Sequence, residues 1–297
     1  MKTAFLTLFL SLLLAGCSLT PPQPVTPPVV EPPPVPPPRV LKPPRVALAL
    51  GGGAARGFAH IGVIQVLEEA GIRPDLVVGT SAGSLVAALY ASGKSGTEMA
   101  QLAETMDEGA ITDWSFPLKG LIKGEALARY VRQQTGGRPI EQMKLPLGIV
   151  ATQLADGQGV LFRSGDLGQA VRASSAVPAV FQPVDIAGRL YVDGGLVAPV
   201  PVRYARQMGA EVVIAIDISS PPDAKTKTDP FSMLMQTVAI MGRSINSLEL
   251  READWVLRPD LSAVSSSDFG ARRQAIAAGR QAAQAALARI KGLVAPR

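Results

Sequence analysis

The sequence predicts an α/β protein in three layers, with a mostly parallel central sheet covered by helices on both faces. Three observations predict it. Short runs at Val46–Leu50, continuously apolar, and at Asp75–Val78, apolar after its first residue, read as buried strands. A helical pattern follows each: Ile61, Ile64, Leu67 and Ala70 recur at spacings of three before Gly71, and Ala82–Ser92 continues the second strand. Glycine-rich turns join strand to helix both times, and the resulting β-α-β-α order builds a parallel sheet.

Before the first strand come two segments of other kinds. Met1–Cys17 has a basic Lys2, an apolar core over Ala4–Leu14 and small residues before the cysteine, which is a secretory signal and too short for a membrane span. Its ending, Leu14-Ala15-Gly16-Cys17, resembles the lipobox of bacterial lipoproteins. That resemblance implies diacylation of Cys17, cleavage before it, and, with a non-acidic Ser18, sorting to the outer membrane of a Gram-negative cell. Residues 18–44 form a linker in which Pro21–Pro44 holds 13 of the chain's 26 prolines. Such a segment favours extended polyproline II and spans about 75 Å at most, a spacer rather than a ligand for a proline-binding partner.

One α/β domain is expected from residue 45 to 297. After the opening units, strands are expected at Leu145–Gln153, Val160–Phe162, Leu190–Val192, Glu211–Asp217 and Trp255–Leu257. Helices are expected at Gly124–Gln134, Asp166–Ser175, Pro201–Met208, within Phe231–Glu252, and at Gly270–Ile290. Between Met106 and Gly124, apolar and aromatic residues without periodicity fit either a flap over a pocket or a buried connector. The arginines of the last helix read as a solvated face rather than a headgroup contact.

Composition removes several function classes. With one cysteine and one histidine, neither a disulfide framework nor a His- or Cys-based metal site can be built, so no metal is expected. The net charge of +5 is scattered, without a basic run interleaved with aromatics, which argues against nucleic acid and leaves anionic lipid surfaces open. Gly51-x-Gly53-x-x-x-Gly57 misses the dinucleotide spacing and lacks the Gly-Lys-Ser/Thr ending of a phosphate loop.

The chemistry sits in three motifs. Gly79-Thr80-Ser81-Ala82-Gly83 lies between strand and helix, the arrangement of a nucleophile elbow, with glycines where strand and helix approach. A serine nucleophile needs a base, yet no histidine follows Ser81. His60, early in the first helix, is read as packing or capping near the glycine loop. The candidate base is Asp193 in Val192-Asp193-Gly194-Gly195. Alone the triplet is a hairpin-turn signal; beside the other two motifs it becomes a candidate catalytic carboxylate.

Together these motifs make the chain resemble the bacterial patatin-like phospholipases, lipoprotein members included. The resemblance runs from about Arg45 to Ala288 and includes Ala173-Ser174-Ser175-Ala176-Val177-Pro178-Ala179-Val180-Phe181 and Asp268-Phe269. It implies a patatin-like fold and a Ser81–Asp193 dyad that hydrolyses acyl esters of phospholipids or related lipids without a cofactor. It also implies an oxyanion hole at the Gly51–Gly57 loop, formed by backbone N–H groups around Gly52, Gly53 and Ala54. Arg56 in that loop either braces it by pairing with a carboxylate or binds substrate phosphate. Membrane lipids are then both substrate and anchor surface, and no protein partner is implied. One departure is Pro199, where many members carry asparagine, which leaves the loop after Asp193 to be accounted for. A non-catalytic or acyl-transferring lipid-binding lipoprotein on the same scaffold is the second reading.

Overall fold

In the computed structural model, residues 42–107, 109, 122–222 and 228–296 are described. The signal segment, nearly all of the linker, and Trp114, Phe116, Leu118 and Leu121 of the 106–124 segment lie outside them. The sheet has eight strands: β1 (Val46–Leu50), β2 (Leu76–Thr80), β3 (Leu147–Gln153), β4 (Gly159–Phe162), β5 (Val184–Ile186), β6 (Arg189–Asp193), β7 (Val212–Ile216) and β8 (Trp255–Leu257). They run in the order β5-β6-β3-β2-β1-β7-β8, with β4 also paired to β3. The pairings β3-β2-β1-β7-β8 are parallel, while β4, β5 and β6 pair antiparallel.

Period-two alternation along the central strands feeds two cores. Val46, Leu48 and Leu50 of β1, with Val212, Ile214 and Ile216 of β7, face one apolar cluster. Helices α1 (Phe58–Glu69), α2 (Ala82–Ala91), α3 (Gly96–Thr105), α4 (Glu125–Thr135), α5 (Leu167–Ser174) and α8 (Arg272–Val294) contribute to that cluster. Ala47 and Ala49, with Val213 and Ala215, face the other cluster, covered by α6 (Val202–Gln207) and the preceding Ala198–Val200. The expected three layers are thus present, and every side chain of β1, β2 and β7 is buried.

Two elements escaped the sequence reading. Helix α3 begins with a full capping box: Ser95 accepts from the Glu98 N–H at 3.2 Å, and Glu98 accepts from the Ser95 N–H at 2.7 Å. Ser-x-x-Glu was visible in the sequence and would have located it. Strand β5 is three residues long and joins β6 through Ala187 and Gly188, both at positive φ. It is too short to show periodicity. The last α helix before β8, α7 (Pro230–Glu249), fills most of its expected window, and no described helix is long and apolar enough to cross a membrane.

Arg273, Arg289 and Lys291 of α8 are exposed, as a solvated face implies, whereas Arg272 and Arg280 are half-buried. Arg280 grips Glu69 of α1 with two bonds of 2.7 and 3.0 Å, and Arg273 pairs with Glu104 at 3.1 Å. Arg272 donates to the Ala103 and Met106 carbonyls, so these side chains bind the helix layer together.

Candidate active site

Parallel strands that start level also finish level, so the loops after β1 and β2 meet. Leu50 pairs with Gly79, which places the glycine loop beside Thr80 and Ser81 at the carboxyl edge of the sheet. Ser81 has φ +53° and ψ −125°, a backbone conformation that costs a non-glycine residue about 1–3 kcal/mol. It persists because strand and helix pack without space. A Cβ on Gly79 would lie 2.4 Å from the Gly83 carbonyl oxygen, and one on Gly83 would lie 2.2 Å from that of Leu50. Side chains at either position would push β1, β2 and α2 apart.

The elbow is held from behind by Ser174. Its buried hydroxyl donates to the Val150 carbonyl at 2.6 Å and accepts from the Ser81 N–H at 2.9 Å. This gives a physical role to the Ala-Ser segment noted in the sequence: one hydroxyl ties α5, β3 and the Ser81 turn.

Register then brings the two candidate groups together. On β3, Val150 pairs with Thr80, and the next residue, Ala151, pairs with Asp193. The last residues of β2 and β6 are therefore neighbours through β3. Asp193 is fixed on three sides. Its N–H donates to Ala176 at 2.9 Å, its carbonyl accepts from Thr152 Oγ1 at 2.8 Å, and its Oδ1 accepts from the Gly195 N–H at 2.7 Å. Oδ2 is buried with no hydrogen-bond partner. Burial pushes the carboxyl up to about 6, opposed by the Ser81 hydroxyl and the Gly195 N–H. The hydroxyl is close enough to lower the pKa, yet no Ser81–Asp193 bond has full hydrogen-bond geometry, as is common before substrate tightens a site.

The glycine loop corrects one expected donor. The Gly51–Gly52 peptide is clamped on both sides: its carbonyl accepts from His60 Nε2 at 2.8 Å, and its N–H donates to the Pro199 carbonyl at 2.9 Å. The Gly52 N–H is committed and cannot face an oxyanion. Among the described residues no acceptor takes the Gly53 or Ala54 N–H, and Ala54, at φ +49°, is exposed. The candidate hole therefore narrows to Gly53 and Ala54. Gly52 has a different reason to be glycine, since a Cβ there would lie 3.0 Å from Ser81 Cβ.

His60 is fully buried, and that burial lowers its pKa to about 4, so it is neutral near pH 7. With Nε2 as the donor to Gly51, Nδ1 is left as an unpartnered acceptor. Its position fits loop support, not proton transfer. Arg56 is also buried, with its pKa lowered by desolvation; it donates to the Ser220 hydroxyl and to the Leu261 carbonyl at 3.4 Å. These contacts brace the loop through a hydroxyl and a carbonyl, in place of the carboxylate pairing expected for that role. Pro199 sits in a loop fixed at each residue: Ala198 accepts from Thr80 Oγ1 at 2.9 Å, Pro199 from Gly52, and Val200 donates to Asn246 Oδ1 at 3.2 Å. An asparagine thus holds this loop after all, from α7.

A cavity of about 370 Å³ lies at the opposite end of the sheet, where Val46, Asp75 and Glu211 begin or precede strands. It touches none of the three motifs. Among the described residues no group of three His, Cys, Asp or Glu side chains is placed to hold a metal ion.

The sequence model of the patatin-like phospholipase family matches residues 48–206, more than half of the chain. The chain belongs to this family. An uncharacterized NTE family protein of Mycobacterium tuberculosis is 39% identical over 177 residues, covering 59% of this chain and 49% of that protein. A second from the same species is 30% identical over 269 residues, covering 82% of this chain and 46% of that one. Patatin-like phospholipase domain-containing protein 6 of Homo sapiens is 37% identical over 193 residues, covering 62% of this chain and 14% of its own length. The chain thus spans less than half the length of these relatives. Among solved structures, VipD from Legionella pneumophila superposes with a TM-score of 0.60 at 15% identity, covering 84% of this chain and 68% of that one, a likeness of fold. The patatin-like match includes the glycine loop, the serine elbow and the Asp-Gly-Gly strand end.

Proposed function

We propose that this patatin-like protein is a serine acyl hydrolase that cleaves ester bonds of phospholipids or related membrane lipids, with Ser81 as nucleophile and Asp193 as general base. The observation that supports it most is the β3 register, which sets a strained serine beside a buried, half-satisfied carboxylate. Ser81 Oγ attacks the ester carbonyl as its proton passes to Asp193. The Gly53 and Ala54 N–H groups receive the charge on the carbonyl oxygen; losing one such donor costs about 3 kcal/mol of barrier. Asp193 then returns the proton to the departing alcohol, leaving an acyl-Ser81. Water, deprotonated by Asp193, releases the fatty acid and restores both groups. At a pKa of about 6 the carboxyl is mostly ionised at pH 7, yet a stronger base than a free aspartate.

The test is labelling by a fluorophosphonate probe and hydrolysis of acyl esters by wild type, Ser81→Ala and Asp193→Asn. Labelling confined to wild type, with ester cleavage lost in both variants, is expected. Equal labelling of all three removes the dyad, and labelling without phospholipid cleavage moves the substrate to another ester or to acyl transfer. We also propose that Cys17 carries the lipid anchor that places the domain at the outer membrane, supported by the Leu14–Cys17 sequence. Radiolabelled palmitate that marks wild type but not Cys17→Ser is the expected result.

A further inference from the structure

Helix α7 is apolar where a surface helix should not be. Of the eight exposed large hydrophobic side chains among the described residues, six lie on it: Phe231, Met233, Leu234, Ile240, Met241 and Leu248, each 41–64% exposed. Its only buried residues are Asn246 and Glu249, near its carboxyl end. A 20-residue helix normally earns its stability by burying an apolar stripe against the core. This one is instead pinned by polar contacts. Asn246 accepts from the Val200 N–H, and Glu249 pairs with Arg203.

The outward arc shows Met233, Leu234, Thr237, Ile240, Met241, Ser244 and Leu248, without a charge. From Pro230 to Leu248 there is no Asp or Glu, and the single base, Arg243, is exposed. The pins tie the helix to the loop that borders the candidate site: Val200 follows Pro199, whose carbonyl holds Gly52 over Ser81.

We infer that the outward face of α7 docks into the interface of a lipid bilayer bearing anionic headgroups, with its apolar side chains among the acyl-chain ends and Arg243 on a headgroup phosphate. Charge decides between this occupant and a second copy of the chain. A two-fold contact would set α7 against α7, and the helix has no free carboxylate to answer Arg243. Anionic lipid supplies that partner and the apolar depth at once. The docking deepens the hydrolase reading, because it would bring lipid esters to Ser81 without passage through water, and its functional meaning rests on that reading.

The test uses the full-length chain carrying Met241→Cys labelled with an environment-sensitive fluorophore, with Arg273→Cys on α8 as the control position. Vesicles are of phosphatidylcholine with or without phosphatidylglycerol, each with or without spin-labelled acyl chains. The expected result is a blue shift and quenching of the probe at residue 241, strongest with anionic lipid, and neither at 273. A parallel pair of substitutions, Ile240→Glu and Met241→Glu, should lower the ratio of vesicle-lipid to soluble-ester hydrolysis at least tenfold, with the far-ultraviolet circular dichroism of wild type. A probe at 241 that stays in water on vesicles overturns the docking. So does shielding that rises with protein concentration when lipid is absent, the signature of a second copy. Quenching at 241 in a protein that cleaves neither ester leaves the docking standing and defeats the hydrolase reading.

Discussion

Asp193 carries its charge at the expense of the fold, and neutralising it should make the protein more stable while abolishing its activity. Burial raises this carboxyl from 3.8 to about 6, which corresponds to about 3 kcal/mol. The sign follows from which state holds the proton. Between about pH 4 and 6 the folded protein keeps a proton that the unfolded chain has released, so stability falls as pH rises through that window. Above it the whole penalty is present. Asparagine keeps the acceptor for the Gly195 N–H, bonded at 2.7 Å, but puts an amide N–H group where Oδ2 has no partner, a cost of about 1–2 kcal/mol. Asp193→Asn should therefore be more stable than wild type by about 1–2 kcal/mol at pH 7.5, raising Tm by about 2–6 °C. At pH 4, where wild-type Asp193 is already neutral, only the orphan amide remains, and the variant should be the less stable by about 1 kcal/mol. Urea unfolding of both proteins at the two pH values measures this crossover. A gain equal at both pH values, or a loss at pH 7.5, refutes the claim that Asp193 is an unfavourably buried charge.

Three further outcomes follow from the same geometry. On a soluble ester, kcat/KM should rise tenfold per pH unit up to about pH 6 and stay level to pH 8, because Asp193 must be ionised and His60, held near 4, adds no limb there. His60→Ala releases the Gly51 carbonyl and should lower kcat by about 10–100-fold with KM nearly unchanged, short of the loss of a whole oxyanion donor, with partial recovery in His60→Gln, which can still donate; steady-state kinetics on the three proteins reads the split. Ser174→Ala leaves the Ser81 N–H and the Val150 carbonyl unpaired, and should cost about 1–3 kcal/mol in urea unfolding together with a fall in fluorophosphonate labelling rate.

The buried strands were legible because a strand covered on both faces must be apolar at every residue, and Val46–Leu50 is. The elbow was legible because two glycines flank a serine where helix and strand touch. Helix α3 was missed although its capping box was in view, and β5 because three residues carry no period. Gly52 was misjudged as a donor for a deeper reason: which N–H is free depends on an acceptor from a distant loop, the Pro199 carbonyl.

The sequence by itself determined the chemical inventory: one histidine too early to serve as the usual base, one serine in an elbow, one aspartate before two glycines, and a glycine loop of non-nucleotide spacing. These are local facts, set by residue type and spacing. Only the tertiary structure decided that successive residues of β3 bring Thr80 and Asp193 together, that Ser174, 93 residues along the chain, braces Ser81, and that α7 lies uncovered beside them. Register, desolvation and exposure are properties of what packs against a residue, and those neighbours come from distant parts of the chain.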